Sequence, residues 1–290
     1  MNGLKRIENF MSKIFSKKEN EALKIKARKL RKIALKMIYK AQAPHLASAF
    51  SALDILVFLY HEVLQVNPKE PTNPKRDIFI LSKGWGASAL YAVLSDKGFF
   101  PKKWLETYCA DGSKLIGITT LSGVPGIEAT TGSMGHGLPL GAGMAIAAKK
   151  MKSSRRVFVV MSDGELDEGS TWEAILFAGF QKLDNLVVII DYNKFQSFGS
   201  VKEVLDTEPI GDKFCAFRWN VLEVNGHDFL DMRKTFTSIK KESGKPTVII
   251  ANTIKGRGIS FMENQNKWHY KYPNEEEFQA AVRELENMEK

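Results

Sequence analysis

The sequence predicts an α/β fold with a doubly wound, mostly parallel sheet flanked by helices. In the second half of the chain, short apolar runs such as Val157–Met161 and Leu186–Asp191 alternate with helical stretches, which is the pattern of a parallel sheet. A Gly/Thr/Ser-rich loop from Gly112 to Gly137 precedes this alternation. No low-complexity linker or internal repeat divides the 290 residues, so we expect one large domain.

Local spacing supports each element. Leu23, Ala27 and Leu30 recur at helical spacing in a basic segment, and Pro44 ends that helix. The Pro/Asn-rich stretch Asn67–Pro74 predicts a loop. In chain order the predicted elements are a helix over Glu19–Ala41, a helix over Ser51–Val66, a strand over Asp77–Ser82, helices over Ser88–Lys97, Pro101–Asp111 and Leu138–Lys150, a strand over Val157–Met161, a helix over Thr171–Lys182, strands over Leu186–Asp191 and Asn220–Val224, a helix over Phe229–Glu242, a strand over Thr247–Thr253 and a helix over Asn274–Met288.

Composition narrows the class of protein. Two cysteines make no disulfide framework, which fits a reducing cytoplasm. The apolar run Leu138–Ala148 is short and broken by Pro139, and we expect no segment long enough to span a bilayer. The net charge of +9 indicates either a solvated basic surface or attraction to anionic substrates or an acidic partner. No basic run is interleaved with aromatic residues, so nucleic-acid binding is not expected.

Oxygen-bearing side chains follow two successive predicted strands. Asp163 leaves the end of one strand and Asn193 leaves the end of the next. The carboxyl ends of parallel strands meet at one edge of the sheet, where ligands bind in open α/β folds. Carboxylate and amide oxygens suit Mg²⁺, which takes its other ligands from phosphate and water. Gly164 would let the backbone approach a phosphate closely. Alternatively, Asp163 caps the helix that follows it.

Five motifs stand in order along the chain. They are DIFILSKG (Asp77–Gly84), the glycine-rich loop PGIEATTGSMGHG (Pro125–Gly137), GELDEGSTWEA (Gly164–Ala174), KLDNLVVIIDYN (Lys182–Asn193) and KGRGISFMENQNKWHYKYPN (Lys255–Asn274). Together they resemble the amino-terminal half of a transketolase, which holds the diphosphate of thiamine diphosphate, and the last motif resembles the tail loop of two-subunit bacterial transketolases. The resemblance runs roughly from Arg28 to Glu276.

The resemblance implies a role for individual positions. Asp163 and Asn193 would ligate Mg²⁺, or Ca²⁺ or Mn²⁺ in its place, with the Phe195 carbonyl as a third ligand. Gly164 would contact the diphosphate. The remaining matches are His45 on the substrate side, His269 near diphosphate and substrate, Gly132 and Met134 against the aromatic rings of the cofactor, and Glu168 and Glu173 at the interface between active sites.

Simpler structural roles remain open for several of these residues. His45 follows Pro44 and can be a loop residue, and His269 beside Trp268 can be a packing residue. Met134 can fill the core, which methionine does well. Glu168 and Glu173 can be solvated helix charges. If the two histidines act in catalysis, they would orient substrate oxygens and move protons. A histidine suits proton transfer, because its unperturbed side chain titrates near neutral pH.

Two positions depart from the family pattern. Trp85 and Ile118 stand where the family usually has histidines that face the diphosphate and the terminal hydroxyl of the donor sugar. A site built to hydrogen-bond a hydroxyl rejects analogues that lack it. Conversely, an apolar Ile118 would tolerate a methyl group, and the donor fragment would then be acetyl from pyruvate. The alternative is that neighbouring residues supply the missing contacts.

The resemblance also implies a partner. In this family, the glutamate that activates the aminopyrimidine ring lies in a following domain, which these residues do not supply. We therefore expect residues 1–20 to be a basic extension, residues 21–290 to be the diphosphate-binding domain, and a separately encoded carboxy-terminal subunit to complete an α₂β₂ assembly. The expected activity is two-carbon transfer between sugars; the alternatives are acetyl transfer from pyruvate and a catalytically silent binding or regulatory subunit.

Overall fold

The structure is a computed structural model that describes residues 2–240 and 243–288, with side chains from residue 17 onward. The helices are α1 (Asn2–Ala41), α2 (Leu46–Phe58), α3 (Ala87–Lys97), α4 (Gly137–Lys150), α5 (Gly169–Phe180), α6 (Val201–Val204), α7 (Ile210–Ala216), α8 (Phe229–Thr237) and α9 (Glu275–Asn287). The strands are β1 (Ile78–Leu81), β2 (Val157–Ser162), β3 (Leu186–Tyr192), β4 (Asn220–Asn225) and β5 (Thr247–Asn252).

The five strands form one sheet in the order β1-β2-β3-β5-β4, and every neighbouring pair is parallel. The predicted α/β fold is therefore confirmed. In the register of the sheet, Ser162 at the end of β2 pairs with Asp191 near the end of β3. The residues that follow these two strands consequently leave the sheet at the same edge.

Alternate strand residues separate the core into two layers, as expected when successive side chains point to opposite faces. Phe158 and Val160 face the cluster that contains α1, α2 and α3. Val157 and Val159 face the cluster that contains α4, α5 and α7. Both faces of the sheet are thus covered around β1, β2, β3 and β5, which explains why these strands read as largely apolar runs, whereas the edge strand β4 is mostly half-buried.

The second helix begins earlier than predicted and continues as a π-helical turn over Leu59–Val63. His45 precedes it in a left-handed conformation with φ of 75°. By length and composition alone Leu46–Val63 would cross a membrane, so the expectation that no segment is long enough was wrong. However, 83% of this segment is buried inside the protein, which is the setting of a core helix.

Other boundaries also differ from the prediction. The expected helix over Pro101–Asp111 is only a 3₁₀ segment, Lys102–Thr107, because Tyr108 leaves the helical region and Cys109 adopts a positive φ. Helix α8 ends at Thr237, and the last two residues of the expected Phe229–Glu242 helix lie outside the described residues. The short helices α6 and α7 were not predicted; neither is long enough to show a clear apolar period.

The amino-terminal extension expected over residues 1–20 continues into the first predicted helix. Helix α1 runs through both without a break, while Met1 lies outside the described residues. Among the described side chains of α1, Asn20 and Leu23 are the first two that are buried. Burial therefore begins near the predicted boundary, although the boundary itself stays a prediction.

Candidate active site

A cavity of about 360 Å³ opens at the carboxyl edge of the sheet, beyond β1, β2 and β3. It brings together all the residues predicted for catalysis, metal, cofactor or substrate, although they are far apart in the sequence. The residues that line it are His45, Ser48, Lys83, Trp85, Ile118, Gly132, Met134, Ser162, Asp163, Gly164, Asn193, Phe195, Gln196, Ser197, His269 and Tyr270.

Asp163 and Asn193 lie together because β2 and β3 are adjacent and end at the same level. Asp163 Oδ1 accepts the Gly164 N–H at 2.9 Å, and its Oδ2 accepts the Lys194 N–H at 2.6 Å. The second bond joins the turn after β2 to the turn after β3. Asn193 Oδ1 accepts the Phe195 N–H at 3.0 Å, so its amide oxygen faces the same turn.

Burial strongly perturbs the Asp163 carboxyl group, which is only 1% exposed. Desolvation, followed by repulsion from the nearby Asp191 carboxylate, raises the pKa of Asp163 to about 7. The two backbone N–H groups and the Lys83 ammonium oppose this rise without cancelling it. A bound cation would stabilise the ionised form, because it adds positive charge where the protein leaves the carboxylate under-compensated.

The donor set fits a hard divalent cation such as Mg²⁺. Asp163 supplies a buried carboxylate, Asn193 an amide oxygen and Phe195 a backbone carbonyl beside the same cavity. Few protein ligands around an open cavity leave room for phosphate and water oxygens, as Mg²⁺ sites commonly do. The residues present therefore fit the predicted metal, and no cysteine or histidine is needed in the set.

Two glycines let the backbone come close to the cavity. A Cβ on Gly84 would lie 2.5 Å from the Thr131 carbonyl oxygen, so any larger residue would push the turn after β1 away from the glycine-rich loop. A Cβ on Gly164 would lie 3.3 Å from Gln196 Cγ. Trp85, which follows Gly84, and Gly132, which follows Thr131, both line the cavity.

His45 and His269 also line the cavity and contact each other. The His45 N–H donates to the His269 carbonyl oxygen at 3.1 Å, and the two imidazole rings meet edge to face with centroids 5.3 Å apart. Tyr270 contacts both rings, at 5.6 Å from His45 and 4.6 Å from His269. The left-handed backbone of His45 is thus part of the link between the start of α2 and the tail loop.

Both histidines are neutral at physiological pH in this structure. Desolvation, together with the nearby lysine charges, lowers the pKa of His45 to about 4. Desolvation and then the Lys255 charge lower the pKa of His269 to about 3. Both pKa values thus lie well below the near-neutral pKa of an unperturbed histidine. Neutral imidazoles can instead donate or accept hydrogen bonds with substrate oxygens.

Lys83 and Asp191 form a buried ion pair that the sequence analysis missed. Both side chains are essentially inaccessible to solvent, and Asp191 also accepts hydrogen bonds from Ser51 Oγ, at 2.6 Å, and from Thr253. Asn193 Nδ2 reaches the same Ser51 hydroxyl at 3.5 Å. The sequence offered one signal for this pair: Lys83 lies between a predicted buried strand and Gly84. A lysine that is buried there needs a partner of opposite charge, because lysines are almost never fully buried unless they are paired.

Lys255 is a second buried cation that sequence reasoning did not single out. Its Nζ donates to the Gln196 carbonyl at 2.8 Å and to Asn266 Oδ1 at 3.3 Å, and lies 3.2 Å from His269 Nδ1. Desolvation, followed by repulsion from Lys83, lowers the pKa of Lys255 to about 8. Two lysines thus place positive charge beside the predicted metal ligands and the histidines, which favours an anionic ligand in the cavity.

Trp85, Ile118 and Met134 give part of the cavity an apolar wall. Ile118 is 41% exposed and Met134 is 38% exposed, so neither is core filler. The Ile118 side chain packs against Gly132, where an added Cβ would lie 3.4 Å from Ile118 Cβ. The residues that depart from the family pattern therefore lie in the cavity itself.

Glu168 and Glu173 do not line the cavity. Glu168 lies half-buried at the start of α5, beside Gly135, and Glu173 is exposed on that helix. The buried acid of this segment is Glu165, whose carboxylate accepts from Ser82 Oγ at 2.5 Å and from the Ser162 N–H at 3.0 Å. Burial raises the pKa of Glu165 above its ordinary value.

The fold and site together define an α/β protein whose sheet edge suits a metal-bound, anionic ligand. Residues 23–287 match the family model described as "Transketolase, thiamine diphosphate binding domain". The chain therefore belongs to the transketolase family and corresponds to its thiamine diphosphate binding domain. The family resemblance drawn from the sequence motifs is confirmed.

Several curated relatives of similar length are named as subunits of transketolases. The chain is 44% identical over 271 residues to one subunit of the apulose-4-phosphate transketolase from Phocaeicola vulgatus, covering 93% of this chain and 96% of that protein. It is 39% identical over 264 residues to the 6-deoxy-6-sulfo-D-fructose transketolase subunit SqwG from a Clostridium species, covering 91% and 96%.

Longer transketolases match over part of their length. The crystal structure of transketolase from Campylobacter jejuni superposes with a TM-score of 0.86 at 31% identity, covering 92% of this chain and 43% of that chain. Human transketolase is 38% identical over 258 residues, which is 40% of its length. The present chain thus corresponds to less than half of these single-chain proteins.

Proposed function

We propose that this protein is the amino-terminal subunit of a split transketolase that transfers a two-carbon unit between sugar substrates, with thiamine diphosphate and Mg²⁺. One observation carries the proposal: a single cavity holds the oxygen ligands Asp163 and Asn193 together with the paired imidazoles of His45 and His269. The names of the relatives, which refer to apulose 4-phosphate and to a sulfo-sugar, support anionic sugars as substrates.

When bound, thiamine diphosphate supplies the carbon nucleophile and the electron sink that two-carbon transfer requires. The protein would hold Mg²⁺ through Asp163, Asn193 and the Phe195 carbonyl, and Gly164 would let the diphosphate approach the backbone. Lys83 and Lys255 add positive charge beside this site. Their charge would favour the diphosphate and the metal-bound phosphate oxygens over neutral ligands.

The remaining wall of the cavity would orient the substrate. His45 and His269 are neutral, so each can offer one N–H donor and one acceptor nitrogen to sugar hydroxyl and carbonyl oxygens. The Lys255 ammonium near His269 Nδ1 favours the tautomer whose proton is on Nε2, because Nδ1 then accepts from the lysine. Gly132 and Met134 would contact the aromatic rings of the cofactor.

A separately encoded carboxy-terminal subunit would complete the enzyme in an α₂β₂ assembly. The relatives named as subunits support a partner, and the longer single-chain transketolases support its carboxy-terminal identity. Glu168 and Glu173, which lie outside the cavity at the start of α5, would contact the partner side of the active site. We propose a cytoplasmic location and residues 21–290 as the diphosphate-binding domain, preceded by the basic extension.

Calorimetry with thiamine diphosphate tests the proposal directly. The chain should bind the cofactor in the presence of Mg²⁺, and Asp163→Asn should abolish binding because it removes the charged ligand. Asp184→Asn is a matched control, since Asp184 pairs with Lys149 away from the cavity. Mixed with the carboxy-terminal subunit, the wild-type chain should turn over a ketose phosphate with an aldose acceptor. Unchanged affinity in Asp163→Asn would exclude the metal assignment.

Acetyl transfer from pyruvate to a sugar or nucleotide-sugar carbonyl is the second candidate. The exposed Ile118 side chain in the cavity favours it, because an apolar group accommodates a methyl better than a hydroxymethyl group. Parallel assays with pyruvate and a ketose phosphate distinguish the two reactions. Ile118→His should shift preference toward the ketose. Cofactor binding without turnover of either donor, in the presence of the partner, would instead indicate a silent binding subunit.

A further inference from the structure

A polar network of largely buried side chains contains no residue that lines the active-site cavity and instead borders a smaller cavity of about 130 Å³. Its members are Arg31 on α1, Asp54 on α2 and His227 in the turn after β4. Arg31 is 3% exposed and Asp54 is 5% exposed. Buried charges are costly unless they are paired and hydrogen-bonded, so the whole network must be satisfied internally.

Arg31 and Asp54 form a two-pronged ion pair. Arg31 Nη1 donates to Asp54 Oδ1 and Nη2 donates to Oδ2, each at 2.8 Å. Burial alone would raise the Asp54 pKa, but the Arg31 charge and the hydrogen bond from His227 outweigh it and hold that pKa well below its usual range. Asp54 is therefore a fixed anion that can orient the imidazole of His227.

His227 connects the ion pair to the loop after β5. Its Nδ1 lies 2.7 Å from Asp54 Oδ2, and its Nε2 accepts the Ile254 N–H at 2.9 Å. A backbone N–H can only donate, so Nε2 carries no proton and Nδ1 donates to Asp54. The ring thus acts as a rigid bridge with a defined tautomer between α2 and Ile254.

The same network reaches this loop at a second point. Arg31 Nε donates to the Arg257 carbonyl oxygen at 3.1 Å. Lys255 stands between the two contact points, Ile254 and Arg257, and its side chain runs to His269 on the cavity wall. These two bonds, to Ile254 and to Arg257, therefore come from side chains that belong to one buried network.

We propose that Arg31 and His227, both bonded to Asp54, are positioning residues, whose direct bonds to the backbone on both sides of Lys255 set its charge against His269 and the diphosphate site. This inference rests on the proposed function for the nature of the ligand. The coupling itself, from His227 through Ile254 to Lys255, stands on the geometry of the chain alone.

Two substitutions at His227 separate positioning from simple structural support. In His227→Asn, the side-chain amide lies near the position that Nδ1 of the imidazole occupies in the wild type. The variant therefore keeps the hydrogen bond to the Asp54 carboxylate and loses the hydrogen bond from the Ile254 N–H. The longer side chain of His227→Gln places its oxygen near Nε2, so it keeps the acceptor for the Ile254 N–H and loses the bond to Asp54. Both variants remove one buried hydrogen bond, and a structural role alone predicts similar effects.

Hydrogen–deuterium exchange over residues 250–270 of the full chain is the first measurement. Exchange should rise in His227→Asn and stay near the wild-type rate in His227→Gln. Calorimetry with thiamine diphosphate and Mg²⁺ is the second. Affinity should fall about 10–100-fold in His227→Asn, the usual effect of losing a partner that orients a ligand-binding residue, and much less in His227→Gln.

His61→Asn is the matched control, because His61 Nε2 also lies 3.3 Å from an aspartate, Asp96, at a distant site. It should leave both measurements unchanged. If His227→Asn does not fold, Arg31→Lys provides the same test: it keeps a cation beside Asp54, removes the Nε bond to the Arg257 carbonyl, and should raise exchange at this loop.

Equal effects of His227→Asn and His227→Gln on exchange and affinity would overturn the inference. So would wild-type exchange over residues 250–270 in a folded His227→Asn or Arg31→Lys protein. A wild-type chain that fails to bind thiamine diphosphate refutes the proposed function instead, while the exchange experiment still decides whether the network positions Lys255.

Discussion

Replacing Asp163 by asparagine should stabilise the metal-free chain at alkaline pH while it destroys the proposed metal site. The Asp163 carboxyl group is buried next to Asp191, and its pKa is raised from 3.8 to about 7. Asparagine has nearly the same shape as protonated aspartate and carries no charge at any pH. The comparison between wild type and Asp163→Asn therefore isolates the cost of ionising this group inside the protein.

The pKa shift sets the magnitude. An unfolded chain releases the Asp163 proton near pH 4, whereas the folded chain retains it until about pH 7. Between these values the folded state binds more protons, so the free energy of unfolding falls as pH rises. A shift of roughly three units at about 1.4 kcal/mol per unit predicts that wild type loses about 4 kcal/mol relative to Asp163→Asn between pH 4 and pH 8.

Urea denaturation in the presence of a chelator, at several pH values from 4 to 8, provides the assay. Asparagine offers one oxygen to the Gly164 and Lys194 N–H groups where aspartate offers two, which costs a constant of about 1–3 kcal/mol. That offset does not depend on pH. The test is therefore how the difference in free energy of unfolding between wild type and Asp163→Asn changes with pH. A difference that stays constant from pH 4 to pH 8 would show that Asp163 ionises normally and would refute the reasoning.

Three further predictions concern the same cavity. Protons should compete with Mg²⁺ for the Asp163 carboxylate. At subsaturating Mg²⁺, the affinity for thiamine diphosphate measured by calorimetry should therefore fall about tenfold per pH unit below pH 7. An affinity that does not change with pH would contradict this prediction. Lys83→Met should lower the free energy of unfolding by about 3–5 kcal/mol in urea titrations, because it leaves Asp191 unpaired; a loss below about 1 kcal/mol would argue against the buried pair. The imidazole of His269 should show no titration between pH 5 and pH 8 in NMR spectra of the ligand-free chain, because its pKa is lowered to about 3.

The metal and cofactor side of the candidate site was accessible to sequence analysis because its residues stand at the ends of recognisable strands. Asp163 and Asn193 follow apolar runs, and the parallel register then brings the two turns together. The lowered pKa values of His45 and His269 could not be predicted from the sequence, because they depend on burial and on lysine charges that no local pattern reveals. The short helices α6 and α7 escaped prediction because they hold too few residues for a periodic signal.

Apolar runs alternating with helical stretches and the order of the motifs determined the α/β fold, the transketolase family and the positions proposed as metal ligands, since the ends of strands can be read from local apolar patterns. Only the tertiary structure showed that Lys83 pairs with Asp191, 108 positions away, and that Lys255 reaches His269. Charge, burial and hydrogen bonding between distant segments set the protonation of the site, and they exist only after the chain has folded.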